Sequence, residues 1–208
     1  MILYGRNLSP FARRVAIWCA LQGREVERRE LTVMGADFER LREVNPVGRV
    51  PVLELDDGTT LIETWAICDW LEETAPEGRR LVPERGVARR DCLQRLGLAN
   101  SVAEKAVALV YERNRRPEAL HWAEWQERIA GQVRGGLAEL DARVPGEGWS
   151  GGNGPDDVPD GGDVAAIIAH QFIEAMNPWL LEPGYPRLAA LAGRGMEIEA
   201  IAATKPVV

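Results

Sequence analysis

The chain has 208 residues and a formal net charge of −7, with 32 acidic side chains against 25 Lys and Arg. That length admits one or two domains with a sizeable core. The acidic balance excludes a general nucleic-acid binder, which needs a basic footprint, and no apolar run approaches the ~20 residues of a membrane span.

In chain order, Met1–Tyr4 reads as a brief strand and Gly5-Arg6-Asn7-Leu8 as a loop. Ser9-Pro10-Phe11 opens a helix that runs to about Leu21 and stops at Gly23. Serine is a favoured N-cap, and proline is preorganised for the first helical position. Val26–Val33 reads as a second strand, so strand, helix and strand form a parallel unit. Ala36–Val44 is a short helix with Phe38 and Leu41 inward. The loop Asn45-Pro46-Val47-Gly48 leads to an apolar strand, Val50–Leu55. Asp57-Gly58 predicts a type I′ hairpin, in which both central residues need positive φ, with Leu61-Ile62 on the return strand. Glu63-Thr64 opens a helix over Trp65–Glu73. Ala66, Ile67, Trp70 and Leu71 lie on one face of it, and Asp69, Glu72 and Glu73 on the other.

Residues 78–86 form a polar linker. Helical patterning resumes from Val87 to about Arg115, carrying Leu93, Leu96, Val102, Val107 and Val110. From Glu118 to Val144, Trp122, Trp125, Ile129, Val133, Leu137, Leu140 and Val144 step by three and four, which predicts one buried face. The two helices should form an antiparallel hairpin. Gly146, Gly148 and Gly151 spell a formal GxGxxG within a loop over residues 145–162. They follow a helix rather than a strand, and Pro155, Asp156, Asp157 and Pro159 stand where a phosphate-facing helix would begin, so no dinucleotide site is expected. Asp160 and Asp163 precede the run Val164–Ile168 as a capping box with Asp in both roles. A last helical segment runs from Tyr185 through Thr204-Lys205-Pro206. His121 and His170 lack metal-ligand spacing and read as ordinary helix residues, so no metal is expected.

Four residues stand out. Pro51 heads an apolar strand to which it can donate nothing, so it belongs at an edge or a bend. X-Pro is also the cheap place for a cis bond, and a cis Val50-Pro51 bond would turn the Val50 N–H and C=O outward to pair with an extended peptide. Glu63 and Thr64 offer a carboxylate, a hydroxyl and helix N–H groups that suit a small anion. Ser9 either only caps its helix or faces a negatively charged group at the helix start. Arg13 and Arg14 read as a solvated face. Arg49, beside Val50, reads equally as a solvated loop residue or as an anion partner.

Val50-Pro51-Val52-Leu53, the Asp-Gly hairpin and Glu63-Thr64-Trp65-Ala66-Ile67 resemble the glutathione-binding half of the cytosolic glutathione transferase family. Ser9-Pro10-Phe11-Ala12-Arg13-Arg14-Val15 resembles the Ser-Pro-Phe segment of its bacterial serine-type members. Asp160 to Asp163 is similar to the family's Ser/Thr-x-x-Asp box, with Asp160 in place of Ser or Thr. The ending Thr204-Lys205-Pro206 is similar to that of the family's last long helix. The resemblance implies the transferase fold: a thioredoxin-like α/β domain over residues 1–77, a linker over 78–86 and an all-helical domain over 87–208. It implies a glutathione transferase that uses glutathione as co-substrate, conjugates its thiolate to small electrophiles and needs no metal. Ser9 would stabilise the thiolate, Val50 would pair with the peptide backbone beside cis Pro51, Glu63 and Thr64 would hold the γ-glutamyl end, and Arg49 the glycine carboxylate. One hydroxyl is expected to face the ligand rather than cap the helix. A homodimer is implied as well. Tyr111, Trp122 and Phe172 are candidates for an electrophile pocket, although core packing accounts for each equally well. The alternatives are a non-catalytic glutathione-binding or protein-interaction module of the same fold, and a glutathione-dependent peroxidase or reductase. Cys19, Cys68 and Cys92, an odd and widely spaced set, are expected to be buried free thiols in a reducing compartment. No charged-then-apolar run precedes Leu3, so no leader segment is expected. A cytoplasmic protein is therefore expected.

Overall fold

The computed structural model describes residues 1–151 and 158–206. The chain divides into two compact units, Met1–Leu81 with the segment that begins at Glu199, and Val82–Ile198.

The first unit holds β1 (Ile2–Tyr4), α1 (Pro10–Leu21), β2 (Glu27–Arg29), α2 (Ala36–Val44), β3 (Val52–Glu54), β4 (Thr60–Ile62) and α3 (Thr64–Glu73). The sheet order is β2-β1-β3-β4, with β1 and β2 parallel and the other pairs antiparallel. Register sorts the side chains by face. Tyr4, Val52 and Ile62 are aligned across the sheet, as are Leu3, Leu53 and Leu61. The first set packs with Leu31 and Leu41 and with Ile2, Val33, Val44 and Val50. Leu3 and Leu53 are fully buried, as are Val15 and Trp18 of α1 and Ile67 and Leu71 of α3. Full burial of each Leu or Ile contributes roughly 1.5–3 kcal/mol. β2 is shorter than the expected Val26–Val33, because Glu27, Arg28 and Arg29 make it a polar edge strand. The hairpin also differs from the type I′ expectation. Gly58 alone has positive φ, while Gly58 N–H donates to the Leu55 carbonyl and Leu55 N–H to the Thr59 carbonyl. The loop therefore has three residues with glycine in the left-handed position.

Two expectations about this unit are corrected. Arg13 and Arg14 are not solvated but buried, 1% and 2% exposed. Arg13 donates to the Ile201 carbonyl at 3.0 Å and to Thr204 Oγ1 at 3.3 Å, tying the end of the chain to α1. Burial lowers its pKa to about 10, still high enough to keep the charge at neutral pH. Glu72 is also inward. Its Oε1 accepts from Trp18 Nε1 (2.6 Å), Gln22 Nε2 (3.0 Å) and the Leu81 N–H (3.1 Å). A carboxylate on an otherwise apolar helix face is tolerated because donors surround it. Glu72→Gln keeps an acceptor but loses its charge, and should cost about 1–2 kcal/mol in urea unfolding.

The second unit is helical: α4 (Gly86–Asn114), α5 (Ala123–Arg143), α6 (Gly161–Met176) and α7 (Pro186–Gly195), while α8 (Glu199–Ala202) belongs to the first unit. α6 is the central helix, with residues 161–173 buried and neighbours α4 and α7. The last segment is thus two helices rather than one long one, interrupted after Gly195. A Cβ on Gly195 would lie 3.0 Å from Ile167 Cδ1, so close packing on α6 accounts for that glycine. α5 starts later than the periodicity suggested. Trp122 and Trp125 precede or open it, 59% and 40% exposed, and stack on each other at 6.4 Å. Leu93 and Tyr111 are exposed as well, whereas Phe172 is core. His121 follows a short 3-10 turn, Glu118–Leu120, and is half-buried.

Asp160 caps α6 as expected, its Oδ1 accepting from Asp163 N–H at 2.9 Å. The reciprocal half of the box is absent. Asp163 instead accepts from Ser150 N–H (2.7 Å) and Ser150 Oγ (2.6 Å). Arg95 of α4 closes the cluster, with Nη2 2.5 Å from Asp160 and Nε 3.6 Å from Asp163. Burial and the Asp160 charge push the Asp163 carboxyl up to about 6, against the Ser150 donors and Arg95. The loop reading holds at residues 145–151 and 158–160. Pro155, Asp156 and Asp157 lie outside the described residues.

Candidate active site

Ser9 is the N-cap of α1. Its backbone is extended, and its Oγ accepts from the Ala12 N–H at 3.3 Å. Pro10 has no N–H to offer, so this bond and the helical Arg13 N–H to Ser9 carbonyl bond (2.9 Å) order the first turn. The expectation that Ser9 could not both cap and face a ligand is therefore too strict. Accepting from Ala12 uses a lone pair and leaves the O–H hydrogen available as a donor.

The Val50-Pro51 bond is cis. The ladder of β3 begins at Val52, so Val50 stands outside strand pairing. The loop before it is held by Asn45, whose place in a Pro-Gly loop carries no mark of this role in the sequence. Buried Asn45 accepts from Val47 N–H at 3.0 Å and donates from Nδ2 to the Arg49 carbonyl at 2.8 Å. Gly48 has φ +67, and a Cβ there would sit 2.4 Å from Phe38 Cε2. Gly48→Ala should cost about 1–2 kcal/mol for the left-handed backbone alone, with more for moving the Phe38 ring, read as a lower unfolding midpoint.

At the start of α3, Glu63 is the only non-glycine among the described residues with positive φ, at 71°. Such a conformation costs of order 1–3 kcal/mol and is found at ligand clamps and active sites. The sequence carried no signal of it. Glu63 is exposed and its side chain does not cap α3, while Thr64 is buried. Two contacts connect the parts. Arg49 Nη1 lies 3.7 Å from Glu63 Oε1. Gly5, at φ +128, is packed so closely that a Cβ would fall 2.7 Å from that of Ala12 and 3.1 Å from that of Val50. Gly5 thus brings the first turn of α1 against the Val50 segment, a role invisible in a loop of four unremarkable residues.

The cysteines offer no alternative nucleophile. All three are buried and none is in a disulfide. Burial pushes Cys19 up to about 11 and Cys68 up to about 12, so neither is a thiolate at neutral pH.

A β2-β1-β3-β4 sheet with flanking helices and a cis proline before β3, followed by a helical unit, defines a thioredoxin-like protein with an appended all-α region. Residues 3–79 match the model of the glutathione S-transferase N-terminal domain family. A glutathione S-transferase of Methylobacterium radiotolerans, solved in complex with glutathione sulfonate, is 26% identical with a TM-score of 0.89, covering 100% of this chain and 95% of that one. One from Methylobacillus flagellatus, solved with glutathione bound, is 27% identical with a TM-score of 0.86, covering 99% of each. Among curated relatives, the maleylacetoacetate isomerase of Pseudomonas aeruginosa is 29% identical over 202 residues, 92% of this chain and 91% of the relative. The chain thus matches the glutathione S-transferase N-terminal domain over residues 3–79 and is similar along nearly its whole length to solved glutathione S-transferases.

Proposed function

We propose that this protein is a glutathione transferase that conjugates the glutathione thiolate to small electrophiles. The observation that carries the reading is the joining of all the candidate residues within one unit. Gly5 packs between the first turn of α1 and Val50, and Arg49 pairs with Glu63 at the head of α3. The Ser9 O–H would donate to the sulfur and favour thiolate over thiol. The Val50 N–H and C=O would pair with the tripeptide backbone beside Pro51. The uncapped first turn of α3, with Glu63 and Thr64, would take the γ-glutamyl end, and Arg49 the glycine carboxylate, in exchange for its pairing with Glu63. Catalysis would consist of a lowered thiol pKa and orientation of the sulfur against an electrophilic carbon. We assign it to the cytoplasm as a homodimer. Three buried cysteines outside any disulfide support a reducing compartment, and the 71% exposed Trp65 on α3 supports an apolar face in need of a partner.

The reading is tested by turnover. Purified protein should conjugate glutathione to chlorodinitrobenzene or reduce cumene hydroperoxide. Glutathione binding in calorimetry with neither substrate consumed would instead identify a binding module. A disulfide reductase would show hydroxyethyl disulfide activity that Cys19→Ser abolishes.

A further inference from the structure

We propose that Arg28, acting with Asn7, is a positioning residue for the Ser9 hydroxyl. The inference rests on the reading of Ser9 given above and extends it to the loop between β1 and α1. That loop has no regular structure of its own between Tyr4 and Pro10, so the direction of the Ser9 O–H depends on whatever fixes Gly5 to Leu8. Three ties are present. Gly5 N–H donates to the Arg29 carbonyl at 3.0 Å, and Ser9 N–H donates to the Arg6 carbonyl at 3.0 Å. The third comes from the side chain of Arg28, reaching up from the edge strand β2. Its Nη2 donates to the Gly5 carbonyl at 3.1 Å and to Asn7 Oδ1 at 3.0 Å.

The geometry suits the chemistry of a guanidinium. One terminal nitrogen carries two hydrogens in a fixed plane, and each meets an acceptor. The two acceptors lie at the start and in the middle of the loop, so a single rigid group sets the distance between them. Gly5 is the residue packed against Ala12 and Val50, and Ala12 is the residue whose N–H binds Ser9 Oγ. A change in the Gly5 carbonyl therefore reaches both the cap bond of Ser9 and the Val50 segment. An arginine on a three-residue edge strand that needed only a polar surface would point to solvent. This one is partly buried, and burial lowers its pKa against the opposing influence of Glu30.

A residue that only braces the fold would change stability alone. A residue that aims the hydroxyl must change the acidity of the sulfur. Arg28→Met and Asn7→Ala are each expected to raise the pKa of protein-bound glutathione by about one unit, a roughly tenfold loss of thiolate in the acid limb. Affinity for S-hexylglutathione, which has no thiol to ionise, should stay within about threefold of wild type, and the double variant should be no worse than Arg28→Met alone, because the two share one bond. The measurements are thiolate absorbance near 240 nm and calorimetry. If both single variants keep the wild-type thiol pKa, whatever happens to their melting temperatures, Arg28 is only a brace and the proposal is wrong. Should Arg28→Met not fold, Asn7→Ala decides by the same criterion. If the thiolate shift is present in wild type, lost in Ser9→Ala and kept in both loop variants, this inference alone fails. If wild type shows no shift at all, the reading of Ser9 falls and this inference with it.

Discussion

Ser9→Ala should lower kcat/KM for conjugation roughly 50-fold at pH 6.5 and about 100-fold at lower pH, with little change in the KM for glutathione. A free thiol titrates near 8.5, and a hydroxyl that donates to the thiolate but not usefully to the thiol lowers that value. A shift of about two units corresponds to about 2.7 kcal/mol and to about a hundredfold more thiolate in the acid limb. Removing the donor returns the sulfur toward its solution behaviour while leaving the Val50, Glu63 and Arg49 segments intact. The sign fixes the pH profile. The wild-type rate should rise through about pH 6.5 and the variant rate through about 8.5, so the difference should nearly vanish above pH 9. Stability should fall far less than activity. The capping bond from Ala12 is long, at 3.3 Å, and loss of an N-cap costs about 1 kcal/mol. A variant whose rate loss is the same at every pH would point to misfolding or misplacement rather than to thiolate chemistry.

Arg95→Ala should be the most destabilising single change in the helical unit, by roughly 3–5 kcal/mol near pH 7.5. It leaves Asp160 and Asp163 buried side by side with no cation. The pH dependence again has a definite sign. The Asp163 carboxyl is raised to about 6 in the folded protein from its ordinary value of 3.8. The folded state therefore binds a proton there that the unfolded chain releases, and this group's contribution to stability grows as pH falls through 6 and levels off below about 4. Arg95 is one of the groups that hold this pKa down. Its removal should raise it further, so acid should rescue the variant more than wild type and from a higher pH. Urea unfolding of both proteins between pH 5 and 8 checks this. A deficit that stays constant or widens in acid would contradict it.

The fold was legible wherever a local rule had one physical solution. Ser9-Pro10 can hardly do other than start a helix, and the short apolar runs around Leu3 and Leu53 read as strands. The cis bond at Pro51 was legible only through the family pattern, since spacing alone leaves the bond open. What sequence could not supply was partnership across distance. Arg13 and Glu72 look like surface residues because their neighbours in sequence say so, but each is buried by acceptors or donors many residues away. Trp122 and Trp125 failed in the opposite way, because a step of three reads as a buried face whether or not anything covers it. At the candidate site, residue identities were readable and backbone states were not. Neither the positive φ of Glu63 nor the tight seat of Gly5 leaves a mark in composition or periodicity.

The most direct test of the central claim is titration of protein-bound glutathione by absorbance near 240 nm, from pH 5 to 9, with wild type and Ser9→Ala. The account predicts that bound glutathione in wild type ionises about two units below the free thiol, and that the variant binds glutathione but loses the shift. Glutathione bound with the same unshifted thiol in both proteins would contradict it and leave Ser9 as a helix cap.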